Sequence, residues 1–443
     1  MKTTIFHRIP NASFYGNFPE EINGFWNDTR TLQPGDCFLA LSAQRDGHDF
    51  LRDAEKKYAS CVIVNRIDTG LSLPQLRVDN VLETAKKLAK FNRKHHTIIA
   101  ISGSYGKTST KDMLQLILGN IACATPENLN NELGVILTLS RIKSEKFAII
   151  ECGIDHPSEM DSLVDLLHPD ISMTTGITPV HVANFKNLDQ LVEEKCKILR
   201  DTLSRNAVAS IGETCLRYPQ FRCLAHRCTL VGQSQDVQGF QNFTQFQTIG
   251  KNQIRLQGSY FRGIIFTLPE MSLGQKENFA HTTTVAKILG LNEDVIQQRI
   301  LQWQPSKARG EIRYFRGHRV YFDAYNANPM AMEDALRHFD AQHSSDHTGG
   351  DTYVLGGMVE LGEFSEQYHR RLAQYFHGKC GDLIIAIGVE MEIFYEILRK
   401  QNGIEVVYFE EVGAAKDYFQ KKCRGRIFVK GSHGYHLEQI LAE

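Results

Sequence analysis

The chain lacks any long apolar run: nothing approaches the roughly 20 consecutive residues that a membrane-spanning helix requires. The opening MKTTIFHRIPNASFYGN contains no apolar stretch bounded by a cleavage site. An embedded or exported protein is therefore not expected, and a cytoplasmic one is. Net charge is nearly absent too, at −1 over 443 residues, so no general field draws the chain to nucleic acid or to an anionic membrane. Any phosphate binding has to come from a local site. The 10 cysteines are scattered, with no C-x-x-C pair and no His/Cys cluster at zinc spacing, which speaks against a disulfide framework and a structural zinc. No internal repeat or low-complexity tract is present. What remains is an ordinary globular composition, 42% hydrophobic and 23% charged, in a chain long enough for roughly three domains.

The most informative segment is TIIAISGSYGKTSTKD, residues 97–112. An apolar β-branched run leads into Gly103-Ser104-Tyr105-Gly106-Lys107-Thr108, and a helix-compatible stretch follows. Glycines permit positive φ and close backbone approach, so successive N–H groups can face phosphate oxygens while the helix start adds its positive end. Lys107 would reach the β/γ-phosphates and Thr108 would offer a hydroxyl to Mg²⁺. Position 101, where the longer phosphate-loop pattern has glycine, is Ile, so the loop is the shortened form Gly-x-x-Gly-Lys-Thr.

Around this loop the sequence divides into three units. Residues from about Asp28 to Val78 alternate short apolar runs (CFLAL, CVIVN, LPQLRV) with turn residues, and Asn80 to His95 has helical spacing. The second unit carries strand candidates FAIIECG and DISMTTG with helices between them, the pattern of a mainly parallel sheet whose ligands sit beyond the carboxyl ends of the strands. Residues from about Cys215 to Phe266 read as a small antiparallel appendage, and a helix around Phe279–Leu291 closes the unit. After Trp303-Gln304-Pro305-Ser306 a new alternation begins: VYFDAYNANP, YVLGGM, DLIIAIG, VVYF and RIFVKGS. Between its first two strands, Gln342 to Asp351 reads as an exposed polar loop.

Three further positions carry chemistry. Glu151 ends an apolar strand, where a carboxylate facing the phosphate loop suits a Mg²⁺ ion that bridges triphosphate oxygens. His181 follows another strand candidate, though a lone loop histidine is more often a surface residue. Lys195 and Lys197 alternate with Glu193 and Glu194, by default a solvated helix face.

Read in order, GSYGKTS, ENLNNELG at 127–134, ECGIDHPSEM at 151–160, His181-Val-Ala-Asn-Phe and Glu194-Lys195-Cys196-Lys197-Ile198-Leu199 resemble the Mur ligase family of ATP-dependent amide-forming enzymes. The likeness extends to Asp28-Thr29-Arg30, Pro34–Phe38 and Asp46–Phe50 at one end, and to Asp323–Pro329, Met358–Gly362 and Lys430-Gly431-Ser432 at the other. The resemblance implies an α/β protein of three domains. Residues 1–94 would be a small uridine-nucleotide-binding domain, 95–304 a central ATP-binding domain of mainly parallel sheet, and 305–443 a Rossmann-like domain for the incoming amine.

Within that family the pattern is most similar to the branch that adds D-Ala-D-Ala to UDP-MurNAc-tripeptide, which implies these two substrates, ATP and two Mg²⁺ ions. Gly103, Ser104, Gly106, Lys107, Thr108, Ser109, Asn278, His281, Arg309, Asp323 and Asn326 would hold ATP. Thr108, Glu151, His181 and Lys195 would hold metal, with Lys195 modified to a carbamate and Lys197 as its rival. Arg309 would meet the transferring phosphoryl group. Asp28, Thr29, Arg30, Asp46, Gly47, His48, Asn128, Asn130, Asn131, Lys430 and Ser432 would contact the substrates. A monomer is expected, without nucleic-acid or membrane partners.

Four positions depart from the usual pattern: Gly176 and His281 stand for asparagines, Gly357 for an aspartate and His433 for an arginine. Two competing readings are a paralogue joining another carboxylate to another amine and a non-catalytic ATP-binding module. The uridine-type segments count against the first, and the coexistence of Lys107, Glu151, His181, Lys195 and Arg309 against the second.

Overall fold

Apolar, largely β-branched runs build three separate sheets, each covered by helices. The computed structural model describes residues 1–42, 44–342 and 350–442. The first sheet pairs Cys37–Leu39, Cys61–Val64 and Gln75–Arg77 in parallel, with Phe25–Trp26 parallel at one edge and Ser13–Tyr15 antiparallel at the other. The helix Val81–Asn92 follows, started by Asn80, whose side chain accepts from the Glu83 N–H at 3.0 Å.

The second sheet has nine strands. Its centre is Thr97–Ser102, flanked in parallel by Phe147–Glu151 on one side and Ile171–Thr174 on the other. Every residue of Phe147–Glu151 and Ile171–Thr174 is buried, as expected of parallel strands covered on both faces. Register places Ile101 opposite Glu151 and Ser102 opposite Thr174. The loop that leaves Ser102 therefore has the Glu151 strand end on one flank and the Gly176–His181 segment on the other.

The antiparallel appendage expected at 215–266 needs correction. Thr229–Gly232 and Asn242–Thr248 continue the central sheet in parallel, and only Gln253–Gly258 and Phe261–Thr267 run antiparallel, at its edge. Thr229–Gly232 spans four fully buried residues, too few to set its direction from local pattern. The glutamines that suggested a separate unit are shared between connecting segments (Gln233, Gln235, Gln238, Gln241) and the strands themselves (Gln245, Gln247, Gln253, Gln257).

The third sheet places Ile427–Lys430, late in sequence, between His318–Asp323 and Thr352–Gly356, all parallel. This brings Lys430 beside Asp323. Leu383–Ile387 and Glu405–Phe409 extend the sheet, and Glu311–Phe315 pairs antiparallel at the other edge. The polar loop expected at Gln342 to Asp351 falls, for residues 343–349, outside the described residues. Among the described residues no helix is long and apolar enough to cross a membrane.

Candidate active site

The strand Thr97–Ser102 hands the chain to Gly103 at φ 142° and Gly106 at φ 76°, conformations in which a side chain would be strained. Space also demands glycine at 106, where an added Cβ would lie 2.3 Å from the Asn278 Oδ1. The helix Lys107–Leu118 starts directly after it, so its free N–H groups open toward the loop. Ser104 braces the loop from behind: its hydroxyl donates to the Thr178 carbonyl at 2.9 Å and accepts from the Thr178 N–H at 3.1 Å.

Glu151 meets the loop as the strand order dictates. Its carboxylate accepts from the Thr108 hydroxyl at 2.9 Å and from the Asn130 amide at 2.9 Å, and its backbone N–H donates to the Thr125 hydroxyl at 3.0 Å. Thr108 and Glu151 together present adjacent hard oxygens of the kind Mg²⁺ takes, leaving further positions for phosphate oxygens and water. Among the described residues no group of three or more His, Cys, Asp or Glu side chains forms a ready metal cage.

Loop and carboxylate open into a cavity of about 910 Å³ whose wall also includes Ser109, Asn128, His181 and Lys195. The His181 Nε2 lies 3.4 Å from Asp155, and its Nδ1 contacts Glu360 of the third unit. Burial lowers the His181 pKa, while Asp155 and Glu360 oppose the shift. Lys195, on the helix Leu188–Ser204, is 1% exposed, and burial, reinforced by the charge of Lys107, brings its amine down to about 7. Lys107 is also lowered, chiefly by burial, and its ammonium donates to the Gly103 carbonyl at 2.9 Å. Lys197, the rival, is not part of the cavity wall and donates to Asp161 at 2.7 Å and to Glu194 at 2.5 Å.

The third unit closes the opposite wall. Arg309 follows Ala308 at φ 57° and precedes Gly310 at φ 86°, and its guanidinium stacks 3.9 Å above the Tyr325 ring. Asp323 and Asn326 line the same cavity. Lys430 donates to Asp323 at 2.6 Å and to the Asn326 carbonyl at 3.1 Å, while the Ser432 hydroxyl accepts from the Val359 N–H at 3.1 Å. These two residues shape the wall but spend their polar groups within their own unit.

Chemically, the cavity concentrates buried cationic groups around a phosphate-type loop and faces them with a carboxylate–hydroxyl pair. Such a site is built to receive a polyanion and to bring a second reactant to its terminal phosphate.

Comparison with known proteins agrees with this geometry. The Mur ligase middle domain matches residues 101–239, and the Mur ligase glutamate ligase domain matches residues 308–433, together more than half of the chain. The chain belongs to the Mur ligase family. It is 29% identical over 434 residues to a UDP-N-acetylmuramoyl-tripeptide–D-alanyl-D-alanine ligase of Rickettsia prowazekii, covering 94% of this chain and 93% of that protein. The enzyme of the same name from Bacillus subtilis is 26% identical, with 95% and 93% covered. In fold the chain is similar to MurF from Acinetobacter baumannii, with a TM-score of 0.82, 24% identity and 100% and 98% coverage. The MurF ligase of Thermotoga maritima in complex with ADP gives a TM-score of 0.74 at 23% identity, covering 94% of this chain and 96% of that one.

Two of the four departures, Gly176 and Gly357, have a packing counterpart in the structure. At Gly176 an added Cβ would lie 2.2 Å from the Tyr105 hydroxyl and 2.4 Å from its ring, so the tyrosine fills the space of the missing asparagine side chain. Gly176→Asn should cost about 1–3 kcal/mol by overpacking, and adding Tyr105→Asn should restore most of it. Denaturant titration of the single and double variants checks this, and equal losses in both would refute the compensation.

At Gly357 the space is taken by Tyr435 and Glu390, whose side chains bond each other. A carboxylate thus returns from another segment. His433 still lines the cavity, its ring 5.9 Å from that of Tyr325.

His281 lies fully buried, its Nδ1 3.3 Å from the Ser210 hydroxyl, and is not part of the wall of this cavity. Burial brings its pKa from 6.5 to about 3. The unfolded chain therefore takes up a proton that the native one refuses, so stability falls as pH drops from about 6.5 toward 3. His281→Asn should flatten this acid slope in chemical unfolding between pH 7 and 4; an unchanged slope would show that another group sets it.

Asn131 has a structural task in this fold. Its side chain accepts from the Gly134 N–H at 2.9 Å as the cap of the helix Glu132–Arg141, leaving Asn128 and Asn130 as the cavity-lining members of that motif. Asp28, Thr29, Arg30, Asp46, Gly47 and His48 lie in the first unit, outside the wall of this cavity. There Asp28 pairs with Arg30 at 2.7 Å, and Asp46 holds His48 at 2.9 Å and Arg66 at 2.6 Å. The sequence reading missed Asp155 and Glu360 as neighbours of His181, although both lie inside the quoted motifs.

Proposed function

We propose that this chain is an ATP-dependent ligase that joins D-Ala-D-Ala to UDP-MurNAc-tripeptide in peptidoglycan precursor synthesis, releasing ADP and phosphate. The observation that carries the reading is the meeting in one cavity of the Gly103–Thr108 loop, Glu151, His181 and Lys195 with Arg309 and Asp323 from the third unit. The relatives' shared name supplies the substrates.

An amide cannot form from a carboxylate until the carbonyl carbon carries a leaving group. Transfer of the γ-phosphoryl group to the tripeptide carboxylate provides one, and the dipeptide amine then displaces phosphate. Lys107 steadies the β/γ-phosphates, the loop N–H groups fix their orientation, and Arg309 meets the charge on the phosphoryl group in flight. Thr108 and Glu151 would hold Mg²⁺, which offsets phosphate charge when bound. A second ion belongs near His181. Asp28–Arg30 and Asp46–His48, in residues 1–94, are assigned to the uridine end of the substrate. Residues 305–443 receive the amine, with Glu390 standing in for the carboxylate missing at 357. The ten free cysteines suit a reducing cytoplasm, and a monomer contains every group the reading uses.

Lys195 has the chemistry for a carbamate. Its amine is substantially neutral near pH 7 and can therefore attack CO₂, releasing a proton and leaving an anionic oxygen ligand in a cavity rich in cations. Lys195→Ala should lower activity about 100-fold and regain part of it with formate or acetate. Full activity in the variant, or no rescue, would remove the carbamate from the account.

Phosphate release from ATP tests the function itself. Release should require both UDP-MurNAc-tripeptide and D-Ala-D-Ala. Release indifferent to both would overturn the ligase reading, and release that needs the nucleotide-peptide alone would replace the amine.

A further inference from the structure

The seam between the central and third units carries a bonded group that the chemistry above leaves unused. Asp334, half-buried on the helix Pro329–Asp340, accepts from the Ser272 hydroxyl at 2.6 Å and from the Gly274 N–H at 3.0 Å. Both donors belong to the start of the helix Leu273–Ile288 in the central unit. A carboxylate of one unit therefore closes the N-terminus of a helix in the other.

Local geometry on both sides suits this contact. Ser272 caps its helix, its hydroxyl accepting from the Gln275 N–H at 3.2 Å, so donation to Asp334 uses the one proton that capping leaves over. The Gly274 N–H is among the first four of the helix, which have no partner inside it, and the helix end favours a negative group there. Position 274 also has to be small: an added Cβ would lie 2.8 Å from the Asp334 Oδ2. Other ties between the two units differ in kind. Arg319 and Glu270 approach only to 3.6 Å with both side chains partly in solvent, and the His181–Glu360 contact involves a residue that the reaction itself needs.

The helix that Asp334 docks also sets the cavity-lining loop of the third unit. Its cap, Asn328, ends the segment 323–328 and accepts from the Ala331 N–H at 2.9 Å. Asp323 and Asn326 of that segment line the cavity, and Tyr325 between them is the ring on which Arg309 stacks at 3.9 Å. Across the seam, the helix Leu273–Ile288 holds Asn278 against Gly106 of the phosphate loop. One contact thus links the platform of Arg309 to the loop that takes the phosphates.

We propose that Asp334 is a positioning residue: it docks the third unit on the central one and so holds Arg309 facing the phosphate loop ahead of nucleotide binding. For what that arrangement achieves, the inference rests on the ligase reading above. Both partners are protein groups, so the contact needs no nucleotide to form. None of the three sheets uses these bonds, so their loss leaves each unit folded. What falls is the population of the closed arrangement, and turnover falls with it.

The test combines small-angle X-ray scattering of the ligand-free full chain with steady-state kinetics and calorimetric ATP binding. Wild-type scattering should match the closed arrangement. Asp334→Ala should raise the radius of gyration and lower kcat about tenfold, with ATP affinity changed less than about threefold because the phosphate loop lies in the central unit. Asp334→Asn, whose amide supplies an acceptor for the Gly274 N–H and a donor for the Ser272 oxygen, should keep most of both. Gly274→Ala favours the helix, yet its methyl displaces the carboxylate and should move scattering and kcat in the same direction. The double variant should then be no worse than Asp334→Ala alone. An open wild type, an Asp334→Ala variant with unchanged scattering, an asparagine as harmful as alanine, additive losses in the double variant, or ATP affinity that falls as far as kcat each overturns the proposal. A closed wild type without turnover would strike the ligase reading instead and leave the docking contact standing.

Discussion

Lys107→Ala is expected to lower kcat/KM by about 10³-fold while moving the melting temperature by no more than about 2 °C. The two halves of this expectation have one cause. The Lys107 ammonium is half-buried and donates to the Gly103 carbonyl, and among the described residues no carboxylate lies at bonding distance from it. A desolvated cation of this kind contributes little to holding the fold together, and removing it relieves a burial cost. Its value appears only when a triphosphate supplies the missing negative charge. Steady-state kinetics beside a thermal melt measures both halves. Activity within tenfold of wild type would show that the loop does not work as assigned, and a large loss of stability would show that Lys107 is structural.

Arg309→Lys should reduce kcat by about 10³-fold with ATP affinity changed by less than about threefold. Arg309 is placed by the left-handed turn at Ala308 and Gly310 and by its stacking on Tyr325 at 3.9 Å. Nearby, Ser306 bonds to Asp112 of the phosphate-loop helix, which ties the linker to the central unit. A lysine keeps the charge but loses the planar fork and the stacking surface. If Arg309 acts on the phosphoryl group in transfer, the loss falls on kcat. An equal loss in binding and turnover would instead make it a ground-state nucleotide contact.

The parts of the fold and site that local pattern specifies were legible in the sequence. Thr97–Ser102 and Phe147–Glu151 each contain a continuous apolar run, and the glycines at 103 and 106 announce the loop between strand and helix. Features set by distant partners were not. The parallel extension of the central sheet through Thr229–Gly232 depends on a neighbour far along the chain. The edge strands Ser13–Tyr15 and Phe25–Trp26 have three and two residues, too few for a periodic signal.

The same division holds at the site. Thr108 and Glu151 meet because the strand that leads into the loop, Thr97–Ser102, pairs in register with Phe147–Glu151, and motif order indicated that pairing. The burial of His281 was not legible, because nearness to Asn278 in sequence says nothing about which face of the helix turns inward. The exchange between Tyr105 and Gly176 could not be seen because it links two loops that only the sheet brings together.

The central claim is that ATP activates a carboxylate for amide formation, and one isotope measurement addresses it. UDP-MurNAc-tripeptide carrying ¹⁸O in its terminal carboxylate, incubated with ATP, Mg²⁺, D-Ala-D-Ala and the full chain, should transfer one ¹⁸O atom to each phosphate released. That oxygen can reach phosphate only if the carboxylate attacked the γ-phosphorus and the amine later displaced it. Phosphate free of ¹⁸O, with amide product still formed, would contradict the account.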